Sequence, residues 1–97
     1  MSGIIKLSIL IVLLNGSGTI NIDSDNINNT YYSWTINISD GNMTVHEHEY
    51  YAENKDCHEH HYDVDEQFVL DLLYNAYDNK YNVSLTNAEL YIVYDID

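Results

Sequence analysis

Apolar and polar residues alternate along much of this chain, which is the pattern of β-strands that bury one face. The clearest case is residues 32–39, where tryptophan and isoleucine alternate with serine, threonine and asparagine. The Asp40-Gly41 pair that follows is a strong signal for a tight turn. Residues 43–50 then alternate again. The sequence therefore predicts a hairpin formed by residues 32–39 and 43–50.

Another hairpin is predicted nearer the start of the chain. Residues 4–14 form a mostly apolar, β-branched run with apolar side chains on both faces, which is typical of a central strand. A turn signal with two glycines at residues 15–18 leads to residues 19–23, where isoleucines alternate with polar residues. Residues 24–30 are polar, and we expect them to form a loop.

One helix and one further strand complete the predicted elements. Residues 66–79 carry apolar side chains at helical spacing, and either Asp63 or Asp65 can cap this helix. Residues 88–96 alternate and predict a final strand. Residues 52–62, rich in charged residues and histidine, are expected to form a loop.

This order of elements, two hairpins followed by a helix and a C-terminal strand, predicts the α+β fold class. We expect a mostly antiparallel sheet of about five strands with the helix packed on one face. A chain of 97 residues has the usual size of one domain, so residues 1–97 are expected to fold around a single core. Because such a core is small, a bound metal ion would add useful stability.

The charge of the chain is strongly negative, with 3 Lys+Arg against 16 Asp+Glu and a formal net charge of −13. So few cations cannot neutralise a phosphate backbone, and we expect no direct binding of nucleic acid. A basic protein surface is the expected partner. The alternative is that the acids have no partner: they would form a solvated face of the helix, and those in its first turn would stabilise its N-terminus. The expected contact residues are Asp63, Asp65, Glu66, Asp71 and Asp78.

All five histidines and the single cysteine lie within the sixteen residues from His46 to His61. Imidazole nitrogen and thiolate sulfur are the preferred ligands of zinc. On one strand, His46 and His48 point the same way. The spacing from Cys57 to His60 or His61 is typical of a zinc knuckle, and the sequence does not decide between them. The sequence therefore predicts one structural Zn²⁺ per chain, with ligands drawn from His46, His48, Cys57, His60 and His61.

Other residues of this segment have less direct expected roles. His58 directly follows Cys57, and adjacent side chains diverge, so among the three histidines from His58 to His61 it is the least expected ligand. The alternatives are a polar loop that takes up adventitious metal, or a catalytic ion with an open coordination position and a nearby carboxylate base. Four acids are expected to hydrogen-bond the ligating imidazoles: Glu47, Glu49, Asp56 and Glu59.

A lone Cys57 cannot form an intramolecular disulfide, which fits a reducing cytoplasm. A competing interpretation is that the apolar residues 7–14, followed by small residues, are a secretory signal. This run is shorter than the roughly 20 residues of a membrane-spanning helix, so no membrane association is expected. We expect a monomer in the cytoplasm of a bacterial host.

Several general properties occur together in this chain: small size, acidity, the absence of catalytic motifs, the histidine and cysteine cluster, and a composition rich in Asn, Ile, Asp and Tyr. In this combination the chain resembles the small acidic anti-defence proteins of phages and mobile elements, in particular type II-A anti-CRISPR proteins. The resemblance implies a non-enzymatic inhibitor that binds a basic surface of the nuclease Cas9 and blocks loading of target DNA. The alternative function is a small metal-dependent hydrolase or a metal-handling protein.

Overall fold

The computed structural model describes residues 5–24, 30–51 and 56–96. Five strands form an antiparallel sheet in the order β5-β4-β3-β2-β6, and β1 and β7 form a separate two-stranded sheet. With one helix in the described residues, this is the α+β fold class that the sequence predicts. The elements are β1 Ile5–Leu13, β2 Ser17–Asp23, β3 Thr30–Ser39, β4 Asn42–Tyr51, β5 Asp56–Val64, α1 Glu66–Asp78, β6 Asn82–Thr86 and β7 Ala88–Ile96.

The predicted pair of hairpins is not confirmed. β3 and β4 pair around the turn at Asp40 and Gly41, but β1 pairs with β7, with Ile9 opposite Ile92. β2 pairs with β3 and with β6 instead. The expected central position of the first strand is also wrong, because β1 belongs to the two-stranded sheet. One face of β1 packs on the core, while Leu10 on the other face is 56% exposed.

Two strands were missing from the prediction. The sequence predicts a loop over residues 52–62, yet β5 begins at Asp56 and runs to Val64. β6, at Asn82–Thr86, is the other addition. Both lie at the edges of the five-stranded sheet. An edge strand needs no buried apolar face and tolerates charged residues, so hydrophobic alternation is a weak guide to it.

The core lies between α1 and one face of the five-stranded sheet, which we call the inner face. Burial of each large aliphatic side chain there contributes about 1.5–3 kcal/mol. Ile9, Ile11 and Leu13 of β1 pack partly buried against the same core. The buried cluster, at most 3% exposed, comprises Ile20, Ile22, Ile36, Ile38 and Val45 of the sheet with Val69, Leu73 and Ala76 of α1.

Local hydrogen bonds fix both ends of α1. The Asp65 side chain accepts a hydrogen bond of 2.8 Å from the Phe68 backbone N–H, so the structure selects Asp65 over Asp63 as the N-cap. At the other end, the Tyr81 N–H donates to the Ala76 carbonyl at 2.9 Å. In the described parts of the chain, no helix is both long enough and apolar enough to cross a membrane.

We expect Ile36→Ala to lower the free energy of unfolding by about 2–5 kcal/mol, because it would leave a cavity in the core. Ile36 is 0% exposed. Urea denaturation followed by circular dichroism measures the change. Ser39→Ala, at an exposed position of the same strand, is the control and should change stability by less than about 0.5 kcal/mol. Equal effects of the two substitutions would contradict this position of the core.

Candidate metal centre

The pairing of β4 with β5 decides which predicted ligands share a face. His46 lies opposite His61, and His48 lies opposite Glu59. Directly opposite residues of antiparallel strands share a face, and Cys57, two residues before Glu59, shares it as well. This is the outer face, because the neighbouring positions on β4 face the core. We call His46, His48, Cys57, Glu59 and His61 the outer-face cluster.

The structure does not bring His60 to this cluster. His60 lies opposite Glu47, and His58 lies opposite Glu49, so both histidines belong to the inner face. Successive residues of a strand point to opposite faces, which separates His60 from its neighbour His61. Of the two candidates that the sequence left open, the register therefore places His61, and not His60, on the same face as Cys57. Coordination by His61 stays a prediction, since the ligand atoms that lie within 4.8 Å of one another belong to His48, Cys57 and Glu59.

Three members of the outer-face cluster lie close enough to share one ion. The Sγ atom of Cys57 is 2.8 Å from Nε2 of His48. Nδ1 of His48 is 3.5 Å from Oε1 of Glu59. Ligand atoms of these three residues all lie within 4.8 Å of one another, so the group could hold a metal ion. Sulfur and nitrogen atoms bound to one tetrahedral zinc lie about 3.5 Å apart. If the Cys57 sulfur and the His48 nitrogen moved apart by less than about 1 Å, the ion would fit between them.

His46 extends the cluster with a further nitrogen. Its Nε2 atom is 3.9 Å from Oε2 of Glu59. This nitrogen is shielded from solvent and has no hydrogen-bond partner among the described residues. The His46 ring packs against that of His61, with centroids 3.9 Å apart. A shielded polar atom without a partner is costly, and a metal ion or a small movement toward Glu59 would satisfy it.

Glu59 lies between two histidines, with Oε1 facing His48 and Oε2 facing His46. The sequence assigns Glu59 a hydrogen bond to a ligating imidazole, and this geometry permits either that role or direct coordination. With Nε2 of His48 on the metal, its Nδ1–H would donate to Glu59 and fix the ring. Glu59 was not predicted as a ligand because the sequence predicts a loop there. The spacing of Cys57, Glu59 and His61 at every second residue is the overlooked signal.

The cluster lies on an open strand surface. Cys57, Glu59 and His61 are exposed, and the side chain of Glu59 is 53% accessible. His46 and His48 are half-buried. An ion bound by three of these residues would reach solvent, so water could take a fourth coordination position.

The acids predicted to contact a partner lie on two faces of the sheet. Asp63 lies opposite Thr44 on the outer face, whereas α1 covers the inner face. Asp65 is occupied as the N-cap of α1. Asp63 and the helix acids therefore lie on opposite faces of the sheet, and the contact of these acids with a partner stays a prediction. The exposed acids of α1 are Glu66, Asp71 and Asp78.

No protein-family model, curated protein or solved structure matches this chain.

We expect Co²⁺ to bind at about one ion per chain with a thiolate-to-cobalt absorption band, because the cluster contains Cys57 sulfur. Cys57→Ser should remove the band, and His48→Ala should weaken binding by about 10–100-fold or more. Absorbance titration of protein without an affinity tag measures both. His60→Ala is the matched control, since it removes an imidazole from the opposite face. Loss of cobalt binding in that control would contradict the assigned cluster.

Proposed function

We propose that this protein binds one structural Zn²⁺ on the outer face of β4 and β5. The observation that carries this proposal is the approach of Cys57 Sγ to within 2.8 Å of His48 Nε2, beside Glu59. A donor set of sulfur, nitrogen and oxygen suits zinc, whereas Ca²⁺ and Mg²⁺ take oxygen ligands. Because β5 is an edge strand, an ion shared by β4 and β5 would hold that edge in place.

The second part of the proposal is that the protein is a non-enzymatic inhibitor of Cas9 that acts as a monomer in the cytoplasm of a bacterial host. The net charge of −13 and the exposure of Glu66, Asp71 and Asp78 on α1 support binding to a basic protein surface. Complementary charge accelerates association with such a surface. An acidic protein in the basic channel of the nuclease would occupy the space that target DNA needs.

One observation favours the alternative, a small metal-dependent hydrolase or metal-handling protein. Three candidate ligands on an open surface leave a coordination position for water, as in catalytic zinc sites. Against a hydrolase, substrates are usually held in concave sites, and Cys57 and Glu59 lie exposed on a strand. Hydrolytic turnover that a chelator abolishes would favour this alternative.

Native mass spectrometry of untagged protein should find one zinc per chain. Cys57→Ser should lose the zinc and lower the melting temperature, because binding of structural zinc contributes to folding free energy. His60→Ala should keep both the zinc and the parent melting temperature. Untagged protein that carries no stoichiometric metal would exclude the zinc proposal.

Reversing the charge of Asp71 and Asp78 to lysine should weaken inhibition of Cas9. Each exposed ion pair contributes about 0.2–1 kcal/mol, so we expect the double variant to act mainly through slower association. Target-DNA binding and cleavage are measured with the parent and the variant at two salt concentrations. A double variant with Asp63→Lys and Glu89→Lys is the control, because it makes the same change in net charge away from α1.

The outcomes of this assay distinguish two questions: whether Cas9 is the partner, and whether α1 makes the contact. No inhibition by the parent protein across Cas9 orthologues would reject Cas9 as the partner. Equal inhibition by the parent and the Asp71 and Asp78 variant would keep the partner but exclude α1 from the contact. Equal loss of inhibition in both double variants would show an effect of net charge alone.

A further inference from the structure

The inner face of the sheet continues beyond the residues that α1 buries. On β4 the buried positions end at Val45, which is 1% exposed, and the next two residues on this face, Glu47 and Glu49, are half-buried. The same end of β3 carries the half-buried Trp34 and Tyr32. Tyr81, which follows α1, completes this region. We call it the aromatic–acid platform, and it comprises Tyr32, Trp34, Glu47, Glu49 and Tyr81.

Three aromatic rings form a row along the platform. The ring centroids of Tyr32 and Trp34 are 5.9 Å apart, with planes inclined by 12°. Those of Trp34 and Tyr81 are 6.1 Å apart, with planes inclined by 19°. Trp34 therefore stacks with both tyrosines. The faces of aromatic rings carry partial negative charge and attract cations within about 6 Å.

A carboxylate lies beside each aromatic residue of β3. Glu47 is opposite Trp34, and Glu49 is opposite Tyr32. The indole Nε1–H of Trp34 donates to Oε2 of Glu47 at 3.0 Å, and the Tyr62 hydroxyl donates to the same oxygen at 3.3 Å. A carboxylate has about four acceptor positions, so Glu47 is held in place and still has capacity to bind a ligand.

Glu49 is oriented in a similar way. The Tyr51 hydroxyl donates to its Oε2 atom at 2.6 Å, and this hydrogen bond raises the pKa of Tyr51 to about 12. Burial, followed by the nearby Glu47 carboxylate, raises the pKa of Tyr62. Tyr51 therefore stays protonated as the donor to Glu49 at neutral pH. Neither carboxylate forms an ion pair with a lysine whose side chain the structure describes.

We propose that the aromatic–acid platform binds an arginine side chain presented by a basic protein. A guanidinium group is planar, stacks on aromatic rings and pairs with a carboxylate through two parallel hydrogen bonds, whereas an ammonium group does not stack. The ring row with Glu47 and Glu49 beside it offers both contacts. The net charge of −13 favours the approach of such a partner. This inference rests on the proposed function only in that the partner is a basic protein.

The platform can be tested without a nuclease, because Trp34 is the only tryptophan of the chain and its fluorescence reports on the site. The probe is an acetylated, amidated Arg-Ala-Arg peptide, titrated at pH 7.5. We expect a saturable change in fluorescence. The same peptide with citrulline, which is planar but uncharged, should bind at least about tenfold more weakly, because a charged hydrogen bond is lost. A Lys-Ala-Lys peptide should also bind more weakly than the arginine peptide.

Two variants with the same change in charge locate the binding. Glu49→Gln should raise the dissociation constant of the arginine peptide by about tenfold, because it removes the charge of the carboxylate. Glu89→Gln, at an exposed position of β7 in the two-stranded sheet, should leave that constant within about twofold. Circular dichroism checks that both variants fold. If Glu49→Gln does not fold, the comparison of the arginine and citrulline peptides on the parent protein still tests the proposal.

Three outcomes with the parent protein would overturn the proposal: no saturable change, equal binding of the arginine and citrulline peptides, or equal binding of the arginine and lysine peptides. Equal weakening by Glu49→Gln and Glu89→Gln would overturn it as well. Peptide binding without inhibition of Cas9 would keep the platform and reject the nuclease as partner. Inhibition of Cas9 that Glu49→Gln leaves unchanged, together with no peptide binding, would reject the platform alone.

Discussion

The antiparallel pairing of β4 with its two neighbours determines which face of the sheet the histidines, Cys57 and the glutamates of β4 and β5 occupy. Val45 lies opposite Ile36 of β3 and Tyr62 of β5, and it is fully buried. With Val45 fixed in the core, strand alternation directs His46 and His48 to the outer face. A slip of one residue would exchange the two faces and put histidines into the core, so burial of Val45 specifies the register. The separation of the outer-face cluster from the aromatic–acid platform follows from this one constraint.

Much of the fold could be predicted because its strands and helix carry clear periodicity. β3, β4, β7 and α1 each show the alternation or the helical spacing of an element that buries one face. β5 could not be predicted in this way, since its residues from His58 to His61 are all polar, and a polar run gives no hydrophobic signal. The pairing of β1 with β7 joins residues as distant as Ile9 and Ile92, and no local pattern encodes such a contact.

The candidate metal centre shows the same limit. His46 and His48 could be placed on one face because β4 alternates clearly. His61 and Glu59 share the face of these two histidines, and His60 does not. This arrangement depends on β5 being a strand in register with β4. The strand conformation of β5 depends on its pairing with β4, so it cannot be predicted from the residues of β5 alone. The histidines and the cysteine therefore suggest metal-binding chemistry from the sequence alone. Which residues lie together on one face is seen only from the strand pairing.

The two faces of β4 connect metal binding to the proposed partner contact. Glu47 and Glu49 alternate along the backbone with His46 and His48, so an ion on His48 would restrain the segment that carries both carboxylates. The aromatic–acid platform and the acids of α1 lie on the same side of the sheet, and one partner could contact both. The outer-face cluster lies on the other side of the sheet. Zinc at the cluster would therefore act by fixing the pairing of β4 with the edge strand β5, and it would not itself be part of the interface.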